Sequence, residues 1–388
     1  MLIESEPVRQ ESAVPTMRLL TGAEGPKHEG EISSCAFGPE SMFVLSGGWD
    51  GYLRLWETTT GAHVTELQVG TKPVSSCAIS PDGKQWLSGT LEGMLARWDA
   101  LTHQQVSTFL AHTRPISAIV FSVDGRLLAT ASWDRSIILW NAGREREGRT
   151  LTGHSDIVAG CRFTPDGRML VSWSHDGTLR TWDVGRARPL TTLSGHSDRI
   201  LSAGISPDSR WAASGARDGM LKLWDLVTGK ETASATQFEE IRSCLFLLDA
   251  KHLITVDAPG TLRMYSIPGL QPEGELATQL PIQCGELAPS GAVVALGSTD
   301  GRVYMVVLEG FDSSPLVVTA SQINRRTQTT LQKLIGKSNV KQAYLCRCPV
   351  CRQTFELTGG VPTQEVACPS CHRKLLISAV IPMGQERE

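Results

Sequence analysis

Between Gly153 and Asp183 the chain reads GHSDIVAGCRFTPDGRMLVSWSHDGTLRTWD. A Gly-His pair is followed by alternating apolar residues, a Pro-Asp-Gly turn, a second strand-like run leading into His175-Asp176-Gly177, and a third that ends in Trp182-Asp183. Alternation with a period of two puts every other side chain on one face, the pattern of a half-buried β-strand, and Pro and Gly clusters between such runs mark tight turns. The pattern then repeats. Trp56, Trp98, Trp140, Trp182 and Trp224 stand 42 residues apart, and the turn positions Asp50, Glu92, Asp134, Asp176 and Asp218 keep the same step.

Self-similarity at this interval is the signature of an all-β fold, a β-propeller of four-stranded blades. At these residues the chain resembles the WD-repeat β-propeller family, over roughly residues 17–320. Each regular repeat carries Ser or Thr four residues before the turn acid, and four of the five carry a histidine before the first strand; Gly70 replaces it in the second. The resemblance implies a relay of acid, imidazole, hydroxyl and indole tying the strands of each blade. The sets are Asp50–His28–Ser46–Trp56, Asp134–His112–Thr130–Trp140, Asp176–His154–Ser172–Trp182 and Asp218–His196–Ser214–Trp224. A Ser-His-Asp set also suggests nucleophilic catalysis, but a lattice recurs in every blade whereas an active site is needed once. Buried polar groups of this kind satisfy one another.

Two degenerate repeats continue the register. Pro259-Gly260 and Asp300-Gly301 keep the turn, while Tyr265 and Val306 replace the tryptophan. Gln237 holds the histidine position of the sixth repeat, so the polar relay is expected to be missing there. The count is seven blades. Either Met17–Thr21 or Pro315–Ala320 supplies the strand that closes the ring.

Hydrophobic residues make up 41% of the chain and the formal charge is −3, a globular composition without an apolar run long enough for a membrane helix. Residues 1–16 lack periodicity and are expected to be disordered, and their charges do not fit a secretory signal. The expected location is cytoplasmic, or nuclear if the source is eukaryotic. Charge is uneven: residues 321–388 hold ten Lys or Arg against four Asp or Glu. A basic tail on an acidic body suits a polyanion, an acidic protein surface, or a merely solvated linker. Within it, residues 321–343 read as a basic linker, helical because Ile323, Leu331, Leu334 and Ile335 share one face.

The cysteines fall into two groups. Cys35, Cys77, Cys161 and Cys244 occupy one equivalent strand position, with Cys284 one residue off it, as expected of small buried side chains. Cys348-Pro-Val-Cys351 and Cys368-Pro-Ser-Cys371 form two C-x2-C turns within residues 344–380, ahead of a tail at 381–388. That spacing suits four thiolates around one tetrahedral, structural Zn²⁺, and the segment resembles a zinc ribbon. Cys346 and His372 are spare, because four ligands close the site.

The implied function is a non-enzymatic protein-interaction scaffold. Trp49, Trp133, His175 and Arg217 precede turn acids on one face, with Lys72 and Arg114 in neighbouring loops; Trp and Arg are enriched at binding hot spots. The zinc ribbon provides a second contact. The alternative is a nucleic-acid-associated factor acting through the basic linker and ribbon. No non-repeating catalytic constellation, small-molecule site or membrane contact is indicated.

Overall fold

The computed structural model describes residues 16–20, 26–309, 316–327, 339–347, 354–358, 365–367, 369 and 374–382. Seven four-stranded antiparallel sheets follow one another along the chain, and an eighth sheet of five strands lies after them. Blade 4 is representative. Its strands Val158–Phe163, Met169–Ser174, Thr178–Asp183 and Arg188–Ser194 pair in chain order. The burial pattern shows why. The second strand is almost wholly buried between neighbouring blades, whereas the fourth, on the rim, is almost wholly exposed.

Each blade is too small to bury its own faces, so apolar residues of adjacent blades form shared cores. Ala129, Ile137 and Leu139 of blade 3 pack with Val158, Leu170 and Trp182 of blade 4 in one such cluster. The same arrangement joins blade 7 to blade 1 through Ile32, Trp56, Ala295 and Met305.

Closure is settled by the N-terminal strand. Thr16–Leu20 pairs antiparallel with Val303–Glu309, and Thr16 stands opposite Glu309. Blade 7 therefore takes three strands from the end of the propeller and one from its start. Arg18 adds an ion pair to Glu309 at 3.1 Å. Of residues 1–16, expected to be disordered, Thr16 opens this strand and 1–15 lie outside the described residues.

A bulge recurs in the first strand of every blade, between Ile32 and Ser34 in blade 1 and at the matching place in the other six. The extra residue is unpaired within its own sheet. In blades 2 and 3 it is Ser75 and Ser117, whose hydroxyls donate to the carbonyls of Ile116 and Val158 in the next blade at 2.6 and 2.5 Å. Ser33 does the same to Val74. These inter-blade links were not anticipated, although the three serines share the 42-residue step.

The C-terminal region departs from expectation. Leu316–Thr327 is a strand, not the start of a helix, and Asn339–Arg347 pairs with it antiparallel. The intervening part of the expected helix lies outside the described residues. The apolar spacing was real, but the strand pairs on both edges, with Asn339–Arg347 on one side and Lys374–Pro382, parallel, on the other. Backbone hydrogen bonding from two distant segments overrides a local helical preference. Residues 316–320, the described part of the second candidate for the closing strand, accordingly belong to this sheet and not to the propeller.

Strand directions give this sheet a further property. Arg347 pairs with Thr354 and Ala367 pairs with Lys374, while Leu316 pairs with Leu375. Both hairpin connections, 348–353 and 368–373, thus start and finish at the end of the sheet where Leu316 begins.

Candidate functional site

One face of the ring carries the turns between second and third strands and the connections that enter each blade. The relay fastens these loops together. In blade 4, Trp182 Nε1 donates to Ser172 Oγ at 2.9 Å, Ser172 meets His154 Nε2 at 2.8 Å, and His154 Nδ1 meets Asp176 Oδ2 at 2.9 Å. An indole can only donate and a carboxylate can only accept, so the hydroxyl donates to Nε2 and the Nδ1–H donates to Asp176. The carboxylate also accepts from the backbone N–H groups of Ser155 and Thr178, both at 3.0 Å.

Blades 1, 3 and 5 repeat the arrangement. Asp50, His28, Ser46 and Trp56 are linked at 2.8 Å throughout. Asp134, His112, Thr130 and Trp140 span 2.7–3.0 Å. In blade 5 the His196–Asp218 contact is longer, 3.2 Å, with Ser214 at 2.7 Å from the imidazole and Trp224 at 2.8 Å from Ser214. Blade 2 keeps only the Trp98–Ser88 bond. In blade 6 the relay is reduced rather than missing. Gln237 Nε2 donates to Thr255 Oγ1 at 2.8 Å, the reverse of the hydroxyl-to-imidazole bond of the other blades, because an amide nitrogen can only donate.

Burial and bonding set the protonation of these groups. Burial alone would raise the carboxyls of Asp50, Asp134 and Asp176, but hydrogen bonds from His28, His112 and His154, from Arg54, Ser136 and Thr178, and from backbone N–H groups together outweigh it and hold all three well below the ordinary range. Burial lowers the imidazoles of His28 and His196. Neither effect leaves a nucleophile exposed: Ser46, Thr130, Ser172 and Ser214 are completely buried.

The residues expected at the mouth are distributed as follows. Trp49 and Trp133 are 50% and 42% exposed, so about half of each residue faces solvent. His175 is half-buried, and burial followed by the nearby Arg199 charge lowers its pKa. Arg217 is tied to Glu240 at 3.0 Å and Lys72 to Glu92 at 3.4 Å. Arg114 lines a depression of about 500 Å³ with Trp133, Arg135, Asp156 and Ile157. The structure therefore brings Arg114 and Trp133 together, whereas Trp49 and Arg217 stand on other blades.

Three further features escaped sequence reasoning. Phe238, directly after Gln237, is 89% exposed on the same face. Arg135 occupies a turn position that is glycine elsewhere, and the missing glycine was a readable signal. Arg162 reaches Glu286 at 2.8 Å. Those two residues belong to the inner strands of blades 4 and 7, which share no edge, so the pair spans the central channel.

Cys348, Cys351, Cys368 and Cys371 lie outside the described residues. Among the described cysteines, burial pushes Cys77, Cys161 and Cys244 up to about 12, which makes them inert packing groups.

The family model described as the IFT122 first beta-propeller matches residues 73–343, and that of the WD domain, G-beta repeat, matches residues 22–57. No curated protein matches the chain. WD-repeat propellers typically serve as protein-interaction scaffolds. With well over half of its length in the first match, the chain belongs to the IFT122 first beta-propeller family, and its fold is a seven-bladed WD-repeat propeller.

Proposed function

We propose that this protein is a non-enzymatic scaffold whose relay-bearing face grips a protein partner and whose C-terminal sheet provides a second contact. The observation that carries the reading is the pair of half-exposed indoles, Trp49 and Trp133, on loops fastened by buried hydrogen bonds. Rigid aromatic anchors lose little entropy on binding, which is how a few residues come to dominate an interface. The test is crosslinking capture from the native cell. Replacing Trp49, Trp133 and Arg217 together is expected to remove the captured partner and leave the thermal midpoint within a few degrees of wild type. Capture that persists in the triple variant removes this face.

The second contact depends on a structural Zn²⁺ held by Cys348, Cys351, Cys368 and Cys371. What supports it is the pairing register: both hairpin connections that contain the C-x2-C turns start and finish at one end of a single sheet. Two such turns at one end can supply the tetrahedral thiolate set that zinc favours, and metal binding then contributes folding free energy. Elemental analysis is expected to find one zinc per chain, lost in Cys348→Ser and Cys371→Ser.

A second reading, nucleic-acid binding through the C-terminal sheet, is favoured by one register detail. Arg325 and Lys341 are cross-strand partners. Like charges directly opposite one another are unfavourable unless a counter-anion meets them. Retardation of DNA or RNA by the full chain, falling steeply with salt, would support this reading. Its absence at low salt removes it.

A further inference from the structure

Blade 3 differs from the other six at one backbone position. The residue that closes each second-to-third-strand turn has a left-handed conformation, and six times it is glycine: Gly51, Gly93, Gly177, Gly219, Gly260 and Gly301, with φ from +71° to +85°. In blade 3 it is Arg135, at φ +71°. A Cβ in this conformation carries a steric cost that glycine avoids. Strain of this kind persists where the side chain is needed, and at binding sites above all.

The side chain stands in a built setting. Arg114, in the loop entering blade 3, lines the same depression as Arg135, with Trp133 and Asp156. The two loops are held in register by several bonds. Thr113 N–H donates to Asp134 at 3.2 Å, Trp133 N–H donates to Pro115 O at 3.0 Å, and Ser132 Oγ donates to Arg114 O at 3.2 Å. Both guanidiniums are exposed, and among the described residues neither has a carboxylate within salt-bridge distance. Lys72 and Arg217, on the same face at blades 2 and 5, are by contrast each paired with a glutamate.

Resting on the scaffold reading above, we propose that this depression takes an anionic side chain of a partner peptide, a carboxylate or a phosphate. It sits between Arg114 and Arg135, and the apolar residue beside it lies against the Trp133 indole. Arginine donates in a planar fork that matches either anion, and its charge-assisted hydrogen bonds are stronger than neutral ones. Two carboxylates also line the depression: Asp134 is occupied by His112 and the Thr113 and Ser136 N–H groups, while Asp156 disfavours a second anion and offers an acceptor to a peptide N–H of the bound segment.

The test uses the full chain on arrays of degenerate peptides that differ at one fixed position, occupied by Gln, Glu or phosphoserine. The expected result is about tenfold greater retention on the Glu or phosphoserine arrays than on Gln, weakening at high salt. The stronger of the two arms identifies the anion. That preference is expected to vanish in Arg114→Ala/Arg135→Gly. The single variant Arg135→Gly restores the residue of the other blades, so its thermal midpoint is expected to hold or rise, which separates lost binding from lost folding. Equal retention on the Gln arrays, no retention on any array, or a preference that survives the double variant overturns the proposal. If Gln peptides are retained as well as Glu peptides and Trp133→Ala releases them, the anion inference falls while the scaffold reading stands.

Discussion

Blades 1, 3, 4 and 5 hold a complete four-membered relay, and blades 2, 6 and 7 do not. Both groups nevertheless have the same four-stranded sheets, the same first-strand bulge and equally buried second strands. The apolar sandwich between blades therefore builds the fold. What the relay adds is a fixed position for the loops on one face, because each turn acid anchors both its own turn and the loop entering the blade. Blade 2 shows the contrast: Glu92 turns outward to Lys72 at 3.4 Å, and no imidazole sits behind it.

The widest gap between the two groups is expected from removing the nitrogen donor. His154→Ala leaves the buried Ser172 hydroxyl proton without its acceptor and takes the imidazole donor from the Asp176 carboxylate, which keeps its backbone N–H partners, and changes of this kind cost ~1–3 kcal/mol each. Gln237→Ala removes one neutral hydrogen bond, worth ~1 kcal/mol. Urea denaturation is expected to show a drop about three times larger for His154→Ala. Equal losses would mean that the relay is no stronger than its remnant in blade 6.

Acid titration separates the groups next. Burial lowers the native pKa of His28 and His196, so the unfolded chain binds those protons first. Their contribution is complete above the unfolded value of ~6.5 and is lost as pH falls through the native values. The native carboxyls of Asp50, Asp134 and Asp176 are also lowered. Their contribution is complete above ~3.9 and is lost as pH falls further. The urea midpoint is expected to decline in two stages, first as pH falls below ~6.5 and again below ~3.9. His28→Gln/His196→Gln is expected to remove the first stage, and to make the second shallower because Asp50 loses its imidazole partner.

The smallest effect is a gain. A Cβ at Gly70 would meet nothing within 4 Å, so the backbone there can start a side chain without a clash. Gly70→His with Glu92→Asp is expected to build a fifth relay onto Ser88 and raise stability by ~1 kcal/mol, read as a higher thermal midpoint. No gain would show that the blade 2 loop cannot bring an imidazole to Ser88.

Much of this architecture was legible because blades are local. Strand, turn and next strand lie within about ten residues of one another, so a 42-residue step exposes the propeller, its relay and the lack of histidine at Gly70. The mouth was half legible. Position before a turn acid identified Trp49 and Trp133 as surface residues, but it did not show that Arg217 is spent on Glu240 while Arg114 and Arg135 are not. Pairing between charges depends on loops from neighbouring blades, and no periodicity encodes it.

The repeat unit and the chemistry of the lattice can be read from a single repeat, and the number of blades from how often it recurs. That Thr16–Leu20 closes the ring and that Leu316–Thr327 is a strand emerged from pairing in the folded chain. Both outcomes depend on backbone partners far away in the chain, Val303–Glu309 for the first and Lys374–Pro382 for the second. A segment's own side chains cannot specify a hydrogen-bonding partner that only the folded chain brings alongside.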